Sequence, residues 1–218
     1  MIFITGDIHG DKNRFKEIKK ARLKKGDTLI VCGDFGFVWD NTKREKKVLK
    51  WIGKRKYHIA FVDGYHDRLE YIDQYPVSDW NEGKVRAISG KLVMLMRGEI
   101  YHIDNETVLA FGGGTSLERE NEVLEEKLPS QEEIDHALEN LNRCGNEVDY
   151  IITHEAPSKI KLFIDMNNNE VDHLHAFLEM VSKNVKFKKW FFGKYHLNKT
   201  IPPYYYMVFN DIHKANSK

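Results

Sequence analysis

The sequence predicts an α/β domain with two β-sheets, and three observations support this prediction. In the first third of the chain, short apolar segments alternate with amphipathic helical patterns, as in parallel strands joined by crossover helices. Between residues 85 and 111, apolar segments without helical periodicity predict antiparallel strands of a second sheet. The chain of 218 residues is long enough to bury a sizeable core without disulfides. We expect one domain over residues 1–213, with residues 214–218 frayed.

Three strands and two helices are predicted in the first part of the chain. The strands cover residues 2–5, 28–32 and 59–62. The inward-facing helical positions are Phe15, Ile18 and Ala21 within residues 13–23, and then Val48, Leu49 and Ile52. These positions follow the spacing of a buried helical stripe, so each helix is expected to cover one face of a sheet.

The remaining elements follow the same logic. Strands are predicted at residues 92–95, 99–103, 107–111, 148–153, 189–192 and 204–209. Ser130 with Glu133 forms a capping-box pattern that predicts the start of a helix, and Val171 opens the apolar pattern of another. The Glu-rich segment 115–128 is expected to be a solvated surface helix.

Composition and charge exclude several classes of protein. With 34 Lys+Arg against 33 Asp+Glu, the net charge of +1 gives no electrostatic reason to expect a nucleic-acid or membrane partner. No apolar stretch approaches the ~20 residues of a membrane span, and the N-terminus has no basic region typical of a signal peptide. Cys32 and Cys144 fit a reducing compartment better than a disulfide framework. We therefore expect a cytoplasmic protein.

Histidine and aspartate side chains follow five of the predicted strands. They are Asp7 and His9 after the first strand, Asp34 after the second, His66 and Asp67 after the third, His154 after residues 148–153, and His196 after residues 189–192. Ligands of open α/β sheets bind at the carboxyl ends of the strands, so these side chains are expected to form one site. Carboxylate and imidazole together suit Mn, Fe, Zn or Co, which predicts a transition-metal site.

In this order, the motifs Asp-x-His, Gly-Asp, Gly-x-His-Asp, a strand-terminal His and a final Gly-x-x-His resemble those of the calcineurin-like metallophosphoesterases. The resemblance covers nearly the whole chain. It implies a four-layer sandwich of two mixed β-sheets flanked by helices. It also implies one or two divalent ions, Mn being the expected metal and Fe, Zn, Ni or Co being compatible. In this family a metal-activated hydroxide hydrolyses a phosphate mono- or diester.

The resemblance also assigns roles to individual residues. It implies that Asp7, His9 and His196 hold the first metal, that Asp34 bridges the two metals, that His154 is a ligand of the second, that His66 is the general acid, and that Asp67 orients His66. Arg97, in a turn between predicted strands, is a candidate contact for a substrate phosphate, with surface ion pairing as the alternative.

Two positions depart from the family pattern. Tyr65 stands where the family has Asn, and Lys194 replaces the first His of Gly-His-x-His. A protonated lysine has no lone pair, and a phenol with a pKa near ~10 ligates only once it is ionised. A unit charge ~4 Å from a divalent ion also repels it by roughly 8 kcal/mol at an effective dielectric of ~20. The second metal site is therefore altered.

Two hypotheses follow for the altered site. In the first, the protein is a phosphoesterase with one tightly held metal, in which Lys194 replaces the second cation and, with Tyr65, contacts the phosphate or closes the pocket. The metal and Lys194 would then carry +3 against −2 from two carboxylates. The alternative is a catalytically weakened relative that acts as a protein- or ligand-binding module, and a weaker alternative is a one-metal nuclease. Retention of the other site residues favours the phosphoesterase, with a phosphorylated small molecule or nucleotide as substrate.

Overall fold

The computed structural model of the protein describes residues 1–115, 127–166 and 170–217. Its strands are β1 (Ile2–Thr5), β2 (Thr28–Cys32), β3 (His58–Val62), β4 (Val77–Trp80), β5 (Gly83–Ser89), β6 (Leu92–Leu95), β7 (Ile100–Ile103), β8 (Glu106–Phe111), β9 (Tyr150–Thr153), β10 (Lys189–Phe192), β11 (Lys199–Ile201), β12 (Tyr205–Met207) and β13 (His213–Lys214). Its helices are α1 (Arg14–Lys20), α2 (Lys43–Gly53), α3 (Leu69–Ile72), α4 (Gln131–Arg143), α5 (Ser158–Ile164) and α6 (His173–Asn184). Most of the Glu-rich segment 115–128 lies outside the described residues.

The strands form two mixed sheets, as predicted. The first has the order β13-β1-β2-β3-β6-β5-β4, and the second has the order β11-β12-β10-β9-β8-β7. Strands β1, β2, β3 and β6 are parallel to one another, and so are β8, β9, β10 and β12. The loops after β1, β2 and β3 therefore leave one edge of the first sheet, and those after β9 and β10 leave one edge of the second.

The central strands bury side chains on both faces. In β2, Leu29 and Val31 pack toward α1 and α2, whereas Ile30 and Cys32 pack between the two sheets. Strand β10 alternates in the same way between the second sheet's helices and the first sheet. Burial of both faces explains why these strands are continuous apolar runs in the sequence.

Helices cover the outer face of each sheet. Buried side chains of α1 and α2 join the outer core of the first sheet, and those of α4 and α6 join that of the second. The expected capping box is confirmed, because Ser130 Oγ accepts from the Glu133 N–H at 3.2 Å and the Glu133 carboxylate accepts from the Ser130 N–H at 2.9 Å. The layers run helix, sheet, sheet, helix, so the four-layer sandwich is confirmed.

The region from residue 85 to residue 111 differs from the prediction. Its strands do not form one meander. Strand β6 pairs in parallel with β3, placing Leu92 opposite Ile59, whereas β7 and β8 form a hairpin at the edge of the second sheet. The segment therefore crosses from one sheet to the other, which an apolar pattern alone does not reveal.

The C-terminal segment also differs, because the expectation that residues 214–218 fray is wrong for the described part. Lys214 pairs with Phe3 in an antiparallel bridge, and the Ala215 N–H donates to the Ile2 carbonyl at 3.0 Å. Ala215 is buried between the sheets. Hydrogen bonds to the edge of β1 therefore order this segment.

Within residues 1–115, 127–166 and 170–217, no helix has both the length and the hydropathy needed to cross a bilayer.

Candidate metal centre

The loops that follow β1, β2 and β10 hold their site residues in unusual backbone conformations. His9, Asp34, Lys194 and His196 have φ values of 51°, 46°, 69° and 50°, respectively. This left-handed region is uncommon for residues other than glycine, and such backbone conformations cluster at functional sites. These turns bring side chains that follow strands of both sheets together in one site.

Gly33 shows how closely these loops approach each other. Its φ is +88°, and a Cβ at this position would lie 2.2 Å from Nδ1 of His154. Only glycine satisfies both the conformation and the contact. The absence of a side chain at Gly33 leaves room for the His154 ring, whose Nδ1 lies 2.9 Å from the carbonyl of Cys32 at the end of β2.

Asp7, His9 and His196 form the first group of donor atoms. His196 Nε2 lies 3.0 Å from Oδ2 of Asp7, and His9 Nε2 lies 3.8 Å from the same oxygen. The two imidazole Nε2 atoms are 3.0 Å apart. All three donor atoms lie within 4.8 Å of one another, and Asp7 is buried. One carboxylate oxygen and two imidazole nitrogens directed at a common point fit a divalent transition-metal ion.

Asp34 lies at the middle of the site. Its Oδ2 is 2.7 Å from His66 Nδ1 and 3.9 Å from His9 Nδ1, and its Oδ1 is 3.7 Å from His154 Nε2. His9, Asp34 and His66 also form a second group whose donor atoms lie within 4.8 Å of one another. The structure thus brings His66 to the carboxylate of Asp34, while His154, at the end of β9 in the second sheet, approaches the same carboxylate.

These contacts shift the pKa values of the site. Burial acts to raise the pKa of Asp34, but His154 and the hydrogen bond with His66 outweigh burial and lower it. Hydrogen bonds to carboxylates raise the pKa of His66, through Asp34, and of His196, through Asp7. Burial lowers the pKa of His9. The carboxylate of Asp34 is therefore held ionised, the form in which a carboxylate binds a metal.

Asp67 does not have the expected position. Its buried carboxylate accepts backbone hydrogen bonds from Phe35, Gly36 and Gly64 at 3.1, 2.8 and 3.0 Å, whereas the ring of His66 is bound by Asp34. Burial raises the pKa of Asp67 to about 7. Asp67 thus joins the loops after β2 and β3 and does not orient the His66 ring directly.

Lys194 is buried, and its side chain is directed toward the second sheet. Its ammonium is paired with the carboxylate of Glu155 and donates to the Thr115 carbonyl at 2.7 Å, while its backbone N–H lies 3.2 Å from both oxygens of Asp7. Burial lowers its pKa, and the charges of Asp34 and Asp7 oppose this shift. These contacts occupy the donors that were expected to hold a substrate phosphate.

Glu155 changes the charge balance expected from the sequence. The pair of Lys194 with Glu155 is neutral, so a divalent ion would face only the charges of Asp7 and Asp34. The sum of +3 against −2 therefore becomes +3 against −3. A net positive site is not what this structure provides.

Tyr65 is buried beside the general-acid candidate. Its ring packs edge-on against that of His66, with centroids 5.2 Å apart. With Lys194 paired to Glu155, the positions that the family pattern assigns to the second metal keep two ligand residues among the described ones, Asp34 and His154. The second donor group, His9, Asp34 and His66, shares His9 with the first. A divalent transition metal needs more ligands than Asp34 and His154, so this donor set does not fit a second ion in the way the first group fits one.

Arg97 is not a substrate contact in this structure. Its guanidinium forms a bidentate pair with Asp63, with Nη2 2.6 Å from Oδ2, and Nη1 lies 3.0 Å from Glu133. It also donates to the carbonyls of Leu128 and Lys127. Arg97 is buried, and these partners engage all of its nitrogens. The expected contact with a phosphate is corrected to an internal one that joins β3 to α4.

Two residues that matter to the site, Glu155 and His175, escaped sequence reasoning. Glu155 directly follows His154 at the end of β9, so its place at a strand end was a usable signal. His175 lies on α6 with Nε2 3.3 Å from Oε2 of Glu155, and no sequence pattern links these two positions.

Comparison with known proteins agrees with this geometry. A model of the calcineurin-like phosphoesterase family matches residues 1–196, a range that ends at the last histidine of the site. The chain therefore belongs to the calcineurin-like phosphoesterase family. No curated protein matches the chain.

Proposed function

We propose that this protein hydrolyses a phosphate mono- or diester with a divalent metal ion held by Asp7, His9, His196 and Asp34. The observation that carries the proposal is the convergence of the Asp7, His9 and His196 donor atoms within 4.8 Å at the end of both sheets. Mn is the expected ion, and the same donors accept Fe, Zn, Ni or Co. Once bound, such an ion acts as a Lewis acid on a phosphoryl oxygen and activates water.

The residues of the chain would supply the remaining functions. His66 is the proposed general acid for the leaving-group oxygen, because its imidazole is bound by Asp34 at one nitrogen and its side chain is 55% exposed. Tyr65 packs against that imidazole and limits its rotation. Asp67 holds together the two loops that carry Asp34 and His66.

We propose a single tightly held metal, because Lys194, which stands where the family pattern has a ligand of the second metal, is paired with Glu155. The substrate is proposed to be a phosphorylated small molecule or nucleotide that reaches the exposed sides of His9, His66 and His196. The free cysteines Cys32 and Cys144 support the proposal of a reducing, cytoplasmic location.

Hydrolysis of two chromogenic substrates tests this function. Mn-loaded protein is assayed with p-nitrophenyl phosphate and bis(p-nitrophenyl) phosphate, beside Asp34→Ala and the matched control Asp73→Ala. Asp73 is an exposed aspartate paired with Arg86. We expect turnover of at least one substrate, a loss of at least ~10²-fold in Asp34→Ala and no change in the control.

Two results would contradict the proposal. If Asp34→Ala retains both the metal content and the turnover of the parent protein, the assigned centre is wrong. If the Mn-loaded parent protein hydrolyses neither ester while remaining folded, the binding-module alternative replaces the enzyme. The double variant Tyr65→Asn/Lys194→His then distinguishes a site that has lost activity from one that has been adapted to another use. A large gain in activity would indicate a decayed site.

A further inference from the structure

A chain of buried polar side chains runs from the centre to the start of α6. The Lys194 ammonium pairs with Oε1 of Glu155, and Oε2 of Glu155 lies 3.3 Å from Nε2 of His175. His175 Nδ1 lies 2.7 Å from Oδ1 of Asp172, the N-cap residue of α6. Lys194, Glu155 and His175 are 4%, 0% and 1% exposed. Such charged groups are rarely buried unless they are paired.

The backbone of Glu155 is also held in place, and its carboxylate lies in a closely packed space. The Thr153 hydroxyl donates to the Glu155 carbonyl at 2.5 Å and accepts from Trp190 Nε1 at 2.8 Å. A Cβ on Gly114 would lie 3.1 Å from the His154 ring and 3.2 Å from Oε1 of Glu155. The carboxylate therefore lies beside the imidazole that the family pattern assigns to the second metal.

We propose that the Lys194–Glu155 ion pair is an internal substitute for the second metal ion, so that the centre binds one divalent ion per chain, and that Glu155 is the positioning residue that holds the Lys194 ammonium there. This inference rests on the proposed function for the first metal site. His175, held by Asp172, places its Nε2 3.3 Å from Oε2 of Glu155, although neither of these two atoms makes a hydrogen bond within the described part of the chain.

The energetics of burial favour this arrangement over a second ion. A second ion would require Lys194 to leave, and its departure would strand the Glu155 carboxylate inside the protein without its cation. Breaking a buried pair by removing one partner is strongly unfavourable, whereas removing both charges together is often tolerated. A variant that removes one charge of the pair can therefore be compared with a variant that removes both.

The first measurement is the number of ions per chain. The full chain is equilibrated with Mn²⁺, freed of excess ion and analysed for metal, and its electron paramagnetic resonance spectrum is recorded. We expect one Mn per chain and the spectrum of an isolated ion. Tyr65→Asn/Lys194→His restores two ligands and should bind two ions with a spin-coupled spectrum. The control Lys199→His, an exposed lysine of β11, should keep one.

The second measurement isolates Glu155. Glu155→Gln leaves the Lys194 charge unpaired beside the centre, so we expect Mn²⁺ affinity to fall at least tenfold. Glu155→Gln/Lys194→Met removes both charges and should recover the parent affinity to within threefold. If Glu155 merely filled space, the second substitution would not restore affinity.

Several outcomes would overturn the inference. Two ions in the parent protein would do so and would also remove the single-metal part of the proposed function, whereas hydrolysis of phosphate esters would still leave the phosphoesterase assignment standing. One ion in both the parent and Tyr65→Asn/Lys194→His would show that Lys194 is not what excludes the second metal. Unchanged Mn²⁺ affinity in Glu155→Gln would remove the role of Glu155. No bound ion and no hydrolysis would overturn both proposals.

Discussion

His66 is bound twice by the carboxylate of Asp34. Its ring Nδ1 lies 2.7 Å from Oδ2, and its backbone N–H donates to Oδ1 at 2.8 Å. The proposed general acid is therefore oriented by a proposed metal ligand, and not by the neighbouring Asp67. Any change that moves Asp34 is expected to disturb metal binding and proton transfer together.

The first prediction concerns pH. The hydrogen bond with Asp34 raises the pKa of His66 above its ordinary value of 6.5. A general acid acts in its protonated form, so activity should persist below the raised pKa and fall as the pH rises through it. In His66→Asn, turnover should drop at least ~10²-fold and lose this alkaline decline. Turnover by Mn-loaded protein across the neutral range checks both effects.

His136→Asn is the control for this prediction. His136 is a partly exposed histidine of α4 that pairs with Glu99, remote in sequence from the centre. Its variant should keep the parent pH profile. An unaltered profile in His66→Asn would show that another group donates the proton.

A second prediction follows from the burial of Arg97. Arg97→Lys should lower the free energy of unfolding by about 2 kcal/mol, because an ammonium cannot reproduce the bidentate contact with Asp63. KM should not change, since internal partners engage all the guanidinium nitrogens of Arg97. Chemical denaturation and steady-state kinetics test the two effects separately. The exposed Arg143→Lys should cost less than about 0.5 kcal/mol. A raised KM with unchanged stability would instead indicate that Arg97 binds the substrate.

A third prediction compares two glycines with nearly the same backbone conformation. Gly33 and Gly26 have φ values of +88° and +91°, but a Cβ on Gly26 meets nothing within 4 Å. Gly26→Ala should therefore show the conformational cost alone, about 1–2 kcal/mol. Gly33→Ala should cost at least about 3 kcal/mol, because the new methyl group displaces His154. It should also weaken Mn²⁺ binding, because His154 lies 3.7 Å from the carboxylate of the proposed ligand Asp34. Equal losses, measured by thermal denaturation and metal titration, would refute the packing argument.

A fourth prediction concerns the C-terminal strand. A chain ending at Ile212 should lose about 2 kcal/mol of unfolding free energy, because the edge of β1 loses its hydrogen bonds and Ala215 is no longer buried. Lys214→Ala is the control, since it retains the backbone pairing of β13. Denaturant unfolding of both variants decides the matter. Equal stability of the shortened chain and the parent would show that the edge strand contributes nothing.

Much of the site could be predicted from the sequence because each motif directly follows a strand. A residue just after a parallel strand must lie at the carboxyl edge of its sheet, so Asp7, Asp34 and His154 could be placed without coordinates. The unusual residues Tyr65 and Lys194 were visible for the same reason. The presence of two sheets followed from the change in periodicity after β3, but the assignment of β5 and β6 to the first sheet did not.

The remaining features depend on contacts between distant positions. Lys194 and Glu155 are 39 residues apart, and Arg97 and Asp63 are 34 apart. In each case, a charged residue that suggested a substrate contact is neutralised by a partner that no local pattern identifies. The expected role of Asp67 was wrong for a related reason. Its partners are backbone amides, and because nearly every residue has one, the sequence does not indicate which of them a carboxylate will bind.

The proposed first metal site joins an early loop to a late one, since His9 and His196 are separated by 187 positions. During synthesis, the carboxylate and imidazole of the N-terminal strand loop emerge long before their last partner. A chain interrupted anywhere before residue 196 cannot assemble this donor set, although most of its sheets could already be paired. Occupancy of the proposed site would therefore require that translation has passed this histidine and that the two sheets have come together.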